Sequence, residues 1–408
     1  MLNKLSDTDK IYYAPRFRQC SEAGRTRNSG VTAPSHQSPP APPARIFVPM
    51  TTTTTTFAYQ QLFAFAERVF LAMGCPEADA TLATEALLAA DLRGVDSHGV
   101  ARLSGYVRLW EAGRINARPR VCLVHETPST ATVDGDGGLG LVVGPRAMRI
   151  ALQKAEVAGT GWVAVRNSNH FGIAGYHAML ALAQDMIGIA LTNASPLVAP
   201  THSLDRLLGT NPIAVAMPAG EQPDFVLDMA TTTAANGKLE IAQRQHKPLP
   251  EGWAQDAGGV SSTDPNAVKN GGALRPLGGA TGSHKGYGLG AVVDILSGVL
   301  SGANYGPWVP PFVAFLPLPA DPVGQGLGHF FGAMRVDAFR PADEFKAHLD
   351  NWITTFRNAK AVPGERVLIP GDPERETAAT RLLNGIPLLE AVVRDLEATG
   401  AKFGVQLG

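Results

Sequence analysis

His98, Arg102 and Tyr106 recur at intervals of four in the run DLRGVDSHGVARLSGYVRLWEAG. On a helix, that spacing stacks an imidazole, a guanidinium and a phenol on one face. The trio suits a definite task. Arg102 can hold a carboxylate through two parallel N–H bonds, and His98 can take or give a proton near neutral pH. Ser97 stands where the helix would begin, so its plain structural role is an N-cap. That role does not exclude a part beside His98. Gly94 and Gly99 bracket the histidine and let backbone approach closely.

Five other runs could take part. In RNSNHFGIAGYHAML a strand ends near Asn167, which puts His170 in the loop before the next helix. Ligands of open α/β sheets gather at the carboxyl ends of strands, so His170 is well placed. Gly172 and Gly175 leave room there for a cofactor, whereas His177, one turn into the helix, reads as a surface or packing residue. TNASP (Thr192–Pro196) and GTNP (Gly209–Pro212) are turn-forming ends of strand-like runs. VLDMATTTAANGK leaves a strand at Asp228 and reaches Lys238. In GSHKGYGLG, His284 and Lys285 precede an apolar helix between Gly286 and Gly288, a start that can receive phosphate.

A GxGxxG also occurs, at Gly135, Gly137 and Gly140. A dinucleotide fingerprint needs an acidic residue closing the next strand, and GWVAVRN closes with Arg166 and Asn167 instead. Glu156 has roughly the right spacing but lies in the helix. The run therefore reads as a Gly-rich turn. No HxxxH or HExxH pair marks a metal site among the ten histidines, and no GxSxG elbow marks a hydrolase.

The elements that must position these residues fall into three stretches. Residues 1–50 are polar, basic-leaning and rich in Pro and Ser, a composition that predicts disorder. They form either a mis-called start, with translation beginning at Met50, or a targeting extension. From about 57 to 120 the periodicity is helical. From about 130 to 337, strand-like runs (STATVDG, GWVAVRN, IGIALTN, IAVAMP, FVLDMA) alternate with helical ones, which predicts an α/β sheet. A helical tail follows.

With 408 residues, 45% hydrophobic and 17% charged, the chain has ample material for a core. A net charge of −1 gives no reason to expect nucleic acid or an anionic membrane as partner. The longest apolar stretch, Leu289 to Leu300, is interrupted by Asp294 and too short to span a bilayer. The three cysteines (Cys20, Cys75, Cys122) have no paired spacing, which predicts a reducing, cytoplasmic setting.

Taken together, RGVDSHGVAR, SNHFGIAGYH, TNASP, GTNP, DMATTTAANGK, GWAQD, HKGYGLG and GHFFGA, in this order over about residues 57–385, resemble the malate/L-lactate dehydrogenase family of the second, non-Rossmann kind. That family includes ureidoglycolate and sulfolactate dehydrogenases and cyclic-imine reductases. The resemblance implies a non-Rossmann, mixed-sheet nicotinamide domain (129–337) and a helical substrate and dimer domain built from both chain ends (51–128 and 338–408). It implies a homodimer, NAD or NADP as cofactor, and hydride transfer at C2 of a small 2-hydroxy or 2-keto carboxylic acid. The alternatives are an NADPH-dependent piperideine- or pyrroline-2-carboxylate reductase, a ureidoglycolate dehydrogenase, or a non-catalytic small-molecule binder. Carried over by position, Ser97, His98, His170 and Lys238 are expected in catalysis, and Arg102 and Tyr106 on the substrate. Contacts to cofactor are expected from His170, Phe171, Gly172, Asn193, Ala194, Asp228, Met229, Ala230, His284, Lys285 and Gly286. Lys238, where cyclic-imine reductases tend to carry an acidic residue, favours the hydroxy-acid branch. Ala194 departs from the hydroxyl residue common in relatives, and Ser195 is the candidate to replace it.

Overall fold

A mixed seven-stranded sheet carries the loops of interest in the computed structural model, which describes residues 54–312 and 316–408. The disorder expected for 1–50 lies outside the described residues. In spatial order the strands are Cys122–Glu126, Thr130–Asp134, Thr160–Ser168, Leu327–Arg335, Met186–Thr192, Ile213–Met217 and Phe225–Met229. One pair, Thr130–Asp134 with Thr160–Ser168, is parallel. The others are antiparallel. All five runs expected as strands are present. Leu327–Arg335, quoted above as the motif GHFFGA, was not among them, yet it is the central strand.

One face of the sheet is covered by the helices Gly140–Ala158 and Ala174–Met179. Their inner residues (Val143, Ala147, Ala151, Ala155, Ala174, Ala178) pack with Val163, Val165 and Phe331 of the strands. Burying each large side chain of this core stabilises the fold by roughly 1.5–3 kcal/mol. The prevalence of alanine lets helix and sheet approach closely: a Cβ on Gly161 would lie 2.0 Å from the Ala151 carbonyl oxygen. The GxGxxG turn between strand and helix is fully engaged. Gly135 and Gly137 donate their N–H groups to the carbonyls of Arg166 and Asn167, while Asp134 accepts from both of those side chains at 3.1 and 2.8 Å.

The two ends of the described chain meet in a helical layer. Helices Tyr59–Ala72 and Glu77–Leu92 pack as a hairpin, with Leu62, Phe65, Ala66, Val69 and Phe70 on the inner stripe that a 3.6-residue period demands. Thr54–Phe57 pairs antiparallel with Ile386–Leu389, and Glu390–Ala401 lies on Leu103–Glu111, where Ser104 donates to Asp395 at 2.5 Å. Only the later part of 338–408 joins this layer. Helix Ala342–Arg357 sits instead beside the edge strand Phe225–Met229, burying Ile353 with Ala219 and Ile369.

Two helical boundaries differ from expectation. Gly279–Asp294 starts several residues before His284, so GSHKG lies inside the helix rather than ahead of it. The helix after His170 is short, ending at Met179. Asp372–Asn384 is a helix inside the expected helical tail. Among the described residues, no helix is long and apolar enough to cross a membrane.

Candidate active site

His98, Arg102 and Tyr106 converge without sharing one helix. The chain leaves Glu77–Leu92, turns through Ser97–Gly99, makes a single 3-10 turn over Val100–Arg102 and only then enters Leu103–Glu111. The buried Asp91 carboxylate organises this turn by accepting the Val100 N–H at 2.7 Å. A Cβ on Gly99 would fall 2.1 Å from Asp91 Cγ, so only glycine fits there. Burial pushes the Asp91 carboxyl up to about 8, against the pull of the Val100 N–H.

Two half-buried imidazoles face each other beyond the turn. The rings of His98 and His170 lie 5.6 Å apart with 24° between planes. Ser97 Oγ is 2.9 Å from His98 Nδ1. On His170, Nδ1 meets both the Tyr106 hydroxyl (2.7 Å) and the Gly172 N–H (3.3 Å). A backbone N–H can only donate, so Nδ1 is an acceptor and the neutral ring carries its proton on Nε2. Desolvation lowers His98 to about 4, aided by Arg102. It holds His170 well below the usual histidine range too, with His98, Arg102, His329 and His177 adding to the effect. Both rings are therefore neutral at pH 7.

Arg102 completes the cluster. Its Nε donates to the Ser97 carbonyl at 2.6 Å, and its terminal nitrogens have no hydrogen-bond partner among the described residues. Its Cζ lies 5.9 Å from the centre of the Phe312 ring, a residue that sequence reasoning missed. A cavity of about 650 Å³ borders this cluster, lined by Ser97, Arg102, Gly237 and Asp91.

The other expected site residues divide. Tyr106, expected on the substrate, is fully buried and directs its hydroxyl at His170. Phe171, expected on the cofactor, is also buried, stacked between His177 and His329 at 4.3 and 4.7 Å. Gly172 adopts φ +80° and supplies the N–H that fixes His170. Asn193 is buried and ties Asn304 to Gly328. Ala194 donates its N–H to Asn211, and the neighbouring Ser195 hydroxyl accepts the Phe312 N–H. Lys238 turns away: its ammonium lies 5.7 Å from the Trp253 ring centre. Its neighbour Gly237 is what abuts Ser97. His177 is buried, as a packing residue should be.

Asp228 accepts the Gly175 N–H at 2.7 Å; Met229 ends the same edge strand and Ala230 follows it. His284 and Lys285 are exposed on Gly279–Asp294, and Gly286 abuts Leu277. A second cavity of about 310 Å³ lies at the start of that helix, lined by Thr201, His202, Ser283 and Arg275. The Arg275 Nε is buried and has no partner there. The helix begins at Gly278 with no side-chain cap.

Comparison with known proteins identifies the family to which the chain is related. A family model described as malate/L-lactate dehydrogenase matches residues 57–397. The malate dehydrogenase of Pyrococcus abyssi is 45% identical over 350 residues, covering 85% of this chain and 94% of that protein. The L-sulfolactate dehydrogenase of Methanocaldococcus jannaschii is 41% identical over 309 residues, 76% of this chain and 86% of the relative. Among solved structures, malate dehydrogenase from Pyrococcus horikoshii superposes with a TM-score of 0.78 at 41% identity, covering 86% of this chain and 97% of that one.

Proposed function

Because the chain belongs to the malate/L-lactate dehydrogenase family, and is thus a nicotinamide-dependent oxidoreductase of hydroxy acids, we propose that Arg102, His98 and His170 form its substrate centre. The observation that carries this reading is the unengaged end of Arg102 beside two neutral imidazoles.

In this centre the Arg102 fork grips the carboxylate and fixes C2 of the acid. His98 Nε2 takes the hydroxyl proton while Ser97 Oγ accepts the His98 Nδ1–H and so keeps Nε2 bare. His170 donates its Nε2–H to the same substrate oxygen, held in that tautomer by Tyr106 and Gly172. The bound nicotinamide supplies the acceptor for the C2 hydride. Orientation by the fork contributes several orders of magnitude, as for oriented reactants generally. Tyr106 acts on the substrate through His170 rather than by contact.

The donor set of the second cavity fits an anionic nucleotide. An uncapped helix start and the buried, unpartnered Nε of Arg275, whose Nη2 donates to the Gly259 carbonyl, both favour phosphate. His284 and Lys285 follow on the same helix, and Asp228 to Ala230 form the facing strand end in this reading. A row of exposed apolar residues along and beyond that helix (Tyr287, Leu289, Val292, Ile295, Val299, Leu300) supports a homodimer. Light scattering of the purified chain tests it. We place the enzyme in the cytoplasm on the absence of a paired cysteine pattern.

The names of the relatives support malate or sulfolactate as substrate class. An absorbance assay of nicotinamide reduction over malate, lactate, sulfolactate, ureidoglycolate and cyclic imines, with NAD and NADP separately, tests substrate and cofactor together. Turnover of cyclic imines alone would refute the hydroxy-acid reading, and Lys238, lying on Trp253, no longer argues between the branches.

A further inference from the structure

One phenyl ring touches three members of the proposed centre. Phe312 lies 4.6 Å from His170 and 5.0 Å from Tyr106 between ring centres, with the Arg102 guanidinium over its face. Three separate elements hold it there. Ser195 Oγ accepts the Phe312 N–H at 3.0 Å. Arg114 donates to the Pro311 carbonyl at 2.6 Å. On helix Leu103–Glu111, Gly105 leaves the space into which the ring fits, since a Cβ there would lie 2.9 Å from Phe312 Cε1. Glycine inside a helix weakens it relative to alanine. Seating this ring is what the missing methyl at position 105 accomplishes.

A phenyl group has no hydrogen bond to offer an imidazole or a phenol. What it provides is a dry wall and a negative π face. Without water on that side, the Tyr106 hydroxyl has no competitor for its bond to His170 Nδ1. Over the π face, a weakly hydrated guanidinium is held with its edge free.

We propose that Phe312 is a positioning residue of the hydroxy-acid reaction: its ring seals the Tyr106–His170 pair from water and aims the Arg102 fork at the substrate carboxylate. The proposal rests on the reading that His98 and His170 handle the proton and Arg102 the carboxylate. The groups facing His170 are Tyr106 from helix Leu103–Glu111, His98 and Arg102 from the turn before it, His329 from the central strand, and His177 from the short helix. All remain when Phe312 is changed, so a shift on its removal reports the seal.

The test compares full-length wild type, Phe312→Ala, Phe312→Leu and Gly105→Ala. Readouts are the pH profile of kcat/KM for oxidation, KM for the acid, Kd for the nucleotide, and the NMR titration of the His170 ring. In Phe312→Ala, water enters. The His170 titration then moves up by about one pH unit, and KM for the acid rises by about tenfold, with nucleotide Kd unchanged. Phe312→Leu keeps the apolar seal but loses the π face, so KM rises while the His170 titration stays. Gly105→Ala, which by helix propensity alone would stabilise the protein, displaces the ring and reproduces Phe312→Ala. That variant also carries the test if Phe312→Ala fails to fold. An unmoved His170 titration in both Phe312→Ala and Gly105→Ala, or equal losses for acid and nucleotide, overturns the proposal. A titration that moves while the kinetic limb stays upholds the seal and leaves that limb to His98, the proton acceptor.

Discussion

Four histidines lie close together here, and two pairs of them do opposite work. His98 and His170 are half-buried, stacked on each other, and each has an Nε2 with no hydrogen-bond partner among the described residues. His177 and His329 are fully buried and sandwich Phe171. His329 has both nitrogens engaged, by Thr192 Oγ1 at 2.7 Å and Ser168 Oγ at 2.8 Å. His177 lies 2.8 Å from the Phe171 carbonyl through Nε2. Burial lowers the basicity of both pairs, so a perturbed pKa does not separate them. The separation comes from exposure: the rings of His98 and His170 are only half-buried, whereas the one free nitrogen of the inner pair, His177 Nδ1, is sealed in the core. The inner pair serves the outer one mechanically, because Phe171 adjoins His170 in the chain and its ring is clamped between them.

Breaking the outer pair has the largest effect. His98→Ala and His170→Ala should each lower kcat by about 10²–10⁴-fold, the usual contribution of general acid–base groups, with the urea midpoint nearly unchanged. Activity within a few-fold of wild type in both would erase the distinction between the pairs. Arg102→Lys comes next. Lys cannot present a planar fork, so KM for the acid should rise by roughly tenfold to a hundredfold while nucleotide Kd holds. Equal loss of both affinities would remove Arg102 from the substrate.

His329→Ala tests the inner pair and reverses the pattern. It leaves two buried hydroxyls without their imidazole and opens a cavity beside Phe171, at a cost of roughly 2–5 kcal/mol in stability. Its kcat per folded molecule should stay within a few-fold. A loss of kcat as large as that of His170→Ala, at unchanged stability, would move His329 into the centre.

How much of this contrast was legible in the sequence depended on where each residue sits. His98, Arg102 and His170 stand in polar, glycine-flanked runs whose residue types announce chemistry, and they do converge. The i, i+4 spacing of Tyr106 correctly implied nearness but carried no information about exposure, which depends on Phe312 and His170 packing over it. Phe312 itself was invisible, an apolar residue in a proline-rich run with no period to read. Leu327–Arg335 was missed because a central strand buried on both faces shows no alternation. For Lys238 the spacing gave nearness only: the adjoining Gly237 lies against Ser97 while the Lys238 ammonium lies over Trp253, a contact that no motif announces.

The smallest effect concerns pH and needs a difference measurement. Burial sets His329 to about 3 and His177 to about 4, below the ~6.5 of an unfolded histidine. Above that value both states hold neutral rings. As pH falls through it, the unfolded chain binds protons that the folded core excludes, so stability is lost toward acid. The buried acids act with the opposite sign: Asp91 at about 8 and Asp294 at about 6 bind protons in the folded state first. Wild-type stability therefore changes little between pH 7 and 5.5, which would hide the histidine contribution. Subtracting His329→Gln cancels the acids and leaves one imidazole. The stability gap between wild type and His329→Gln should narrow by roughly 1 kcal/mol from pH 7 to 5.5, as read from urea midpoints at both values. A gap that widens toward acid would mean that His329 is charged in the folded protein, which two hydroxyl partners and an aromatic wall cannot stabilise.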